Sequence, residues 1–458
     1  MKDLKGNELL HKGSLCLSKV EANGIKIDEA YLNSALASTA KRIKQNEETL
    51  RHSKEYKVWR KNFGDKTNLG SHAQLAEVFF KVLGHKGETY TAADNLKSDE
   101  NAFAHIDSPF LKAYFENEKL KKVNGTYLKG LKRETIDGLL HPMFDLHTAR
   151  TFRSSSSHPN FQNIPIRDPA IAKIIRQAFI PRENHVLVEF DYSGLEVRIA
   201  ACYNKDPNLI GYIKDSTKDM HRDSAAECFK CKPKQVSKIM RYCAKNMFVF
   251  PEFYGSYYKQ CAPNLWEACD VHNLTIGKLS AREHLRKKGI RTLGDCENYK
   301  AKPKKGTFEH HIQQVEEFLW KSRFHIYADW KKTWYADYLK RGWIETLTGF
   351  RIEGIYSRND IINYPIQGSA FHCLLWSLIE LQRQLEKRKM RSLIVGQIHD
   401  SIVGDVHIKE LDDYLALTKK IMQKKIRKAW KWIIVPLEAE AEACGLGESW
   451  YDKKEVEM

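Results

Sequence analysis

HVLVEFDYSG, residues 185–194, is an apolar run that closes on Asp191, Tyr192, Ser193 and Gly194. A run this short, bounded by a turn, reads as a buried strand with a carboxylate at its end. A related unit lies near the C-terminus: LIVGQIHDSIVGDV, residues 393–406, has two β-rich stretches around His399, Asp400 and Ser401. This pattern predicts a hairpin with Asp400 at its tip. Glu196 to Tyr203 reads as a helix, as does most of the chain before and between the strands. In the first third, Leu32, Leu36, Ile43 and Leu50 recur on one helical face. Ser71 precedes the apolar run LAEVFFKVLG and is a candidate helix cap. The expected architecture is α+β, a small sheet with large helical lobes before and within it.

The chain has 458 residues, enough for roughly three lobes at about 100–200 residues each. Lys and Arg outnumber Asp and Glu by 75 to 58, for a net charge of +17. That excess favours polyanionic partners, because neutralising a phosphate releases condensed counterions. MKDLKGNELLHKG is too polar for a secretory leader, and no run approaches the roughly 18 apolar residues of a membrane span. These features point to a cytoplasmic protein with reduced thiols and no membrane partner. Cys228 and Cys231 form the single CxxC pair. With no second ligand pair at suitable spacing, zinc is not expected.

Two basic stretches are ambiguous by composition. KLKKVNGTYLKGLKR, residues 119–133, is either a solvated helix face or a phosphate-tracking surface that uses Lys121 and Lys122. The Lys- and Gly-containing stretch at 270–307 reads as a surface insertion, for which a plain solvated loop competes with a template or partner contact.

Asp191 and Asp400 would reach one sheet edge if their strands paired. Phosphoryl transfer needs in-line positioning and positive charge on the attacking and leaving oxygens. Two Mg²⁺ ions about 3.5–4 Å apart supply that charge when carboxylates on a rigid platform bridge them. A lone Asp at a strand end is more often a turn former, so the neighbouring residues carry the argument.

Those neighbours are specific. Asp191-Tyr-Ser-Gly-Leu-Glu196-Val-Arg198 resembles motif A of the DNA polymerase I-like, family A polymerases, and Gln397-Ile-His399-Asp400-Ser401 resembles motif C. Arg241 and Lys245, followed by Tyr254-Gly255, resemble motif B. Thr151-Phe-Arg153 through Asn160-Phe-Gln162-Asn163-Ile-Pro165 resembles the signature before motif A, and Asn363-Tyr-Pro-Ile-Gln367-Gly368 resembles a later segment. The blocks keep the family's order, some in a phage-like form.

The resemblance implies a right-hand polymerase with a small antiparallel palm sheet and helical thumb and fingers. The expected divisions are an entry to the palm at 1–28, thumb at 29–135, palm at 136–215, fingers at 216–345 and the second palm part at 346–458. It implies DNA-templated extension of a primer with dNTPs. Asp191, Asp400 and the Tyr192 carbonyl would hold two Mg²⁺ ions, with Mn²⁺ as a possible substitute. Arg241, Lys245 and His221 would contact the triphosphate, with Lys245 a candidate proton donor to pyrophosphate. Glu196, packed near Tyr254, would bar a ribose 2′-hydroxyl. Arg153, Asn363, Gln367 and His399 would contact the primer–template or brace its end.

Several features depart from the family pattern. The interval from Lys245 to Tyr254 is one residue longer than the family's usual interval and contains Pro251, which predicts a kink or π-type bulge. The aromatic facing the sugar is therefore Phe250 or Phe248, with Phe250 preferred. Gly194 replaces a Gln, Ser401 stands where many members carry Glu, and Asn359 stands where an Arg is common. Proofreading and 5′-nuclease functions are not expected on this polypeptide, so a separate exonuclease or replisome proteins are candidate partners. The competing readings are an RNA-templated or RNA-synthesising relative, which Glu196 disfavours for rNTP use, and a non-catalytic primer–template-binding accessory.

Overall fold

The computed structural model describes residues 4–86, 96–166 and 168–457. At its centre is a five-stranded sheet built from β1 (His185–Tyr192), β2 (Leu393–Ile398), β3 (Ser401–His407), β4 (Ala439–Ala443) and β5 (Lys454–Glu455). The spatial order is β2-β3-β1-β4-β5, and each neighbouring pair is antiparallel. Val186, Leu187, Val188 and Phe190 of β1 are buried, as the apolar run predicts. Gly396 and Gly404 allow close packing on the sheet. A Cβ at Gly396 would meet the Phe161 ring at 2.5 Å, and one at Gly404 would meet the Tyr414 hydroxyl at 2.4 Å.

The first helical lobe carries α1 (Glu29–His52) and α2 (Pro109–Lys122). Asp28 caps α1 by accepting from Tyr31 N at 2.8 Å, and Ser108 caps α2 ahead of Pro109. Ser71 accepts from Gln74 N, so the predicted cap is present. The tip of this lobe has its own core around Trp59, Phe79, Phe103 and Tyr114, separate from the core around the sheet.

After β1 come α3 (Leu195–Asn204), α4 (Met220–Cys228) and α5 (Lys238–Ala244). Helix α5 runs into a π-helical segment, Lys245–Val249, and then one α turn, Phe250–Phe253. The bulge expected from the motif spacing lies between Lys245 and Pro251. Helices α6 (Tyr258–Val271), α7 (Ala281–Lys287), α8 (Phe308–Phe318) and α9 (His325–Arg341) complete the second lobe. The 31-residue helix α10 (Arg358–Arg388) starts at a Ser357–Asp360 capping box and passes behind the sheet. There Ser377 meets the Tyr192 hydroxyl at 2.9 Å. The Tyr192 side chain therefore faces the helices, and the preceding Asp191 faces the cleft.

Candidate active site

The sheet register brings the two predicted carboxylates together. Asp191 pairs with Ser401 on β3 and with Glu440 on β4, while Tyr192 N donates to the Asp400 carbonyl at 3.3 Å. The hairpin turn is tight because His399 adopts a left-handed conformation, with φ of 47°. A polar network holds it. Gln397 donates to the His399 carbonyl at 2.7 Å and accepts from Ser154 at 2.6 Å and from Gln162 at 2.7 Å.

Asp191 opens onto the cleft, yet its pKa is pushed up to about 7. Burial by the surrounding protein is the largest cause, followed by repulsion from Asp400, Glu189 and Glu440, against the pull of Lys453. Burial also raises Asp400, opposed by Arg153 and His399. Asp400 Oδ1 is buried without a hydrogen-bond partner, and its nearest cation, Arg153, is 3.8 Å away. Glu189 is not free to join the pair, since Ser401, Trp450 and Lys453 all donate to it. Among the described residues no group of three or more His, Cys, Asp or Glu forms a metal cage. Two mutually repelling carboxylates with an unpartnered oxygen suit Mg²⁺, which is commonly held by one or two carboxylates plus substrate phosphates. The residues present fit the implied ions.

Beside this pair is a cleft of about 500 Å³, lined by Ser193, Gly194, His221, Arg241, Lys245 and Phe250 among others. Asp219 organises its cationic wall. It caps α4 through His221 N and Arg222 N, and it pairs with Arg241 Nε at 2.6 Å. His221 is held neutral, its pKa lowered to about 4 by burial first and then by Arg241 and Lys245. Phe250 lies edge-on to His221 at 5.6 Å, 6.3 Å from the Tyr254 ring and under Lys245 Nζ at 5.2 Å. Phe248 is fully buried in the core. The structure thus brings Phe250, and not Phe248, to the cleft. Glu196, Phe250, Tyr254 and Asn363 share an adjoining small cavity. Burial, then Asp400, pushes Glu196 up to about 7, and Arg153 opposes the shift at 3.4 Å. Asn363 donates to the Tyr254 carbonyl at 2.9 Å.

A groove of about 560 Å³ between the first lobe and the sheet is lined by Lys119, Lys122, Tyr127, Gln162, Asn163 and His399 among others. Lys122 and His399, two of the expected primer–template contacts, both line this groove. Lys121 does not line the groove. It pairs with Glu47 at 3.0 Å and Glu118 at 3.2 Å, because α1 supplies an acid on that side of α2. Lys119 flanks the groove in its place. Arg153 also lies elsewhere, bridging Glu196 and Asp400. Gln367 lies one turn beyond Asn363 on α10, half-buried.

The model of DNA polymerase family A matches residues 34–273 and 296–452. The chain belongs to that family. Similar proteins include the thermostable DNA polymerase I of Thermus thermophilus, 28% identical over 96% of this chain and 48% of that protein. DNA polymerase I of Lactococcus lactis is 29% identical over 96% of this chain and 45% of that protein. The DNA polymerase of Bacillus phage SP01 is 27% identical over 78% of this chain and 37% of that protein. The family A chain spans about half the length of the first two and a smaller share of the phage protein. In fold it is similar to the POL domain of Pol1 from M. smegmatis in complex with DNA primer-template and dNTP. The TM-score is 0.73 at 24% identity, covering 97% of this chain and 70% of that one.

Four residues that the structure places in or beside the site were not singled out from the sequence: Asp219, Gln162, Gln397 and Lys119. Gln162 and Gln397 lie inside the motif segments, and Asp219 lies two residues before His221, where the neighbours drew attention. Lys119 lies in the basic run, three residues before Lys122, and that helical spacing was the available signal.

Proposed function

We propose that the chain is a DNA-templated DNA polymerase that extends a primer 3′ end with dNTPs and releases pyrophosphate. The observation that carries this reading is the pairing of Asp191 and the Asp400 hairpin beside a cleft walled by Arg241, Lys245 and His221. The primer-template and dNTP held by the M. smegmatis domain support the same substrates here.

Asp191 and Asp400, with the Tyr192 carbonyl, would hold two Mg²⁺ ions. When bound, these ions supply positive charge at the attacking and leaving oxygens. Arg241 and Lys245 grip the triphosphate, and Arg241 exchanges Asp219 for a phosphate oxygen. Neutral His221 offers a ring N–H without adding charge. Lys245 Nζ gives a proton to the departing pyrophosphate. Glu196 and Tyr254 close the sugar side of the cleft against a 2′-hydroxyl, and Phe250 packs on the sugar. Lys122, His399, Gln367 and Asn363 track the primer–template, while Arg153 holds Glu196 and Asp400 in place.

Primer extension with Mg²⁺ on DNA and RNA templates, using dNTPs or rNTPs, tests the reading. DNA-templated dNTP addition should dominate and should cease with chelator. Asp400→Asn should lower kcat by at least about a thousandfold, ~4 kcal/mol of barrier. A normal rate in that variant refutes the metal assignment. Preferential rNTP use would instead favour the RNA-synthesising alternative.

A further inference from the structure

The family match stops at residue 273 and resumes at residue 296, so residues 274–295 lie outside the matched family model. From Leu274 to Thr307 there are ten Lys and Arg against three acids. Lys287, Lys288 and Arg291 are exposed, as are Lys302, Lys304 and Lys305. Among the described residues none of these six has an ion pair. One of the three acids, Glu283, is committed to a capping box with Ser280. The excess charge is therefore not neutralised within the protein.

Nor is the segment a loose loop. A short hairpin, Thr275–Ile276 with Leu279–Ser280, leads into α7. Leu274, Ile276, Leu285 and Ile290 are buried in the main core. Arg282 stacks on Trp266 at 3.7 Å and pairs with Asp270 at 2.6 Å. The cations are thus held on a fixed platform.

Its position gives direction. His284 Nε2 lies 3.0 Å from the Lys230 carbonyl, just beyond α4. The His272 ring lies 6.5 Å from Tyr242 on the outer face of α5. The inner side of α4 and α5 carries His221 and Arg241. The segment therefore packs against the same two helices whose His221 and Arg241 line the nucleotide cleft. On the polymerase reading, product duplex would lie in the Lys122–His399 groove, and the unpaired template would approach past the helices of the second lobe. Tyr242 is 55% exposed and Tyr299 is 71% exposed. Aromatic faces set among unpaired cations are the chemistry that binds single-stranded nucleic acid.

We propose that the 274–307 segment, together with the outer face of α5, binds the unpaired template strand ahead of the nascent base pair. The proposal rests on the polymerase reading above. Its test measures binding of two primer–templates across a salt series, one flush-ended and one with a long single-stranded 5′ template overhang. Wild type should bind the overhang DNA more tightly, with a steeper salt dependence. The variant Lys287→Gln/Lys288→Gln/Arg291→Gln should lose about 2 from that slope, roughly 0.7 per lost contact. Its flush-ended binding and its unfolding midpoint should be unchanged. Tyr242→Ala should weaken overhang binding with little change in slope. An unchanged slope in the triple variant overturns the proposal, as does an equal loss on flush-ended DNA. Wild-type primer extension reports separately on the polymerase reading, so normal extension with an unchanged slope removes only the template surface.

Discussion

Phe250 and Phe248 are two residues apart, and their surroundings give them different work. Phe250 meets His221, Lys245 and Tyr254 at the cleft, whereas Phe248 has no exposed surface. A hydroxyl added to Phe250 would enter the space proposed for the nucleotide sugar. Phe250→Tyr should raise dideoxynucleotide incorporation by at least about tenfold, ~1.4 kcal/mol of selectivity, in competitive primer extension. Phe248→Tyr should leave selectivity unchanged. Its buried hydroxyl would lack a partner and should lower stability by about 1–3 kcal/mol in denaturant unfolding. Equal selectivity in the two variants would sink the assignment of Phe250.

The helix that carries these residues works as a unit. Each residue advances an α-helix by about 100°, so an extra residue would turn Arg241 and Lys245 away from the face of Phe250 and Tyr254. The π segment Lys245–Val249 absorbs that residue and keeps both halves facing the cleft. The far end is anchored from behind: Trp320 Nε1 donates to Glu252 at 2.8 Å, and Lys331 donates to the Glu252 carbonyl at 3.3 Å. Deleting exposed Asn246 should restore regular α spacing with kcat/KM for dNTPs within a few-fold of wild type. Inserting an alanine after Asn246 should misalign the two halves and lower kcat/KM by about a hundredfold. If the deletion is as damaging as the insertion, the bulge has some role other than restoring alignment.

At the scale of the molecule, three histidines sit in surroundings that favour the neutral ring: His221 beside the cleft, and His311 and His372 in the interior. Burial is the main cause that lowers His221 and His311 to about 4 and His372 to about 3. His372 bridges Thr348 and the Phe152 carbonyl at 2.6 and 3.1 Å. A histidine lowered from 6.5 contributes stability that is complete above that pH and lost as pH falls toward its folded value. Asp191 and Glu196, pushed up to about 7, and Glu252, pushed up to about 8, have the opposite sign. Their folded forms take up protons first, so the two sets offset and the overall profile between pH 5 and 6 should be shallow, roughly. The His372 contribution should appear in a difference. Below 6.5, the stability gap between wild type and His372→Gln should shift against wild type by about 1.4 kcal/mol per pH unit. Denaturant unfolding of both proteins at several pH values checks this, and a constant gap would show that His372 does not stay neutral.

What could be read from the residues in order was local. The apolar runs ending at Asp191 and flanking Asp400 specified strands, and the Lys245-to-Tyr254 spacing with Pro251 specified an irregular helix. Ser71 specified a cap. Each depends on patterning or turn chemistry within a few residues, and the ordered motifs then indicated the family. The sequence alone could not rank Phe250 over Phe248 with assurance, because facing depends on how the bulge packs. Nor could it show Lys121 neutralised by Glu47, since that acid comes from a distant helix. The Ser154–Gln162–Gln397 network, Glu189 held by Ser401, Trp450 and Lys453, and the unpartnered oxygen of Asp400 are likewise tertiary facts. Periodicity along the chain encodes which face of an element is buried. Only packing decides which distant side chain meets that face, and with it which charges remain available for a ligand.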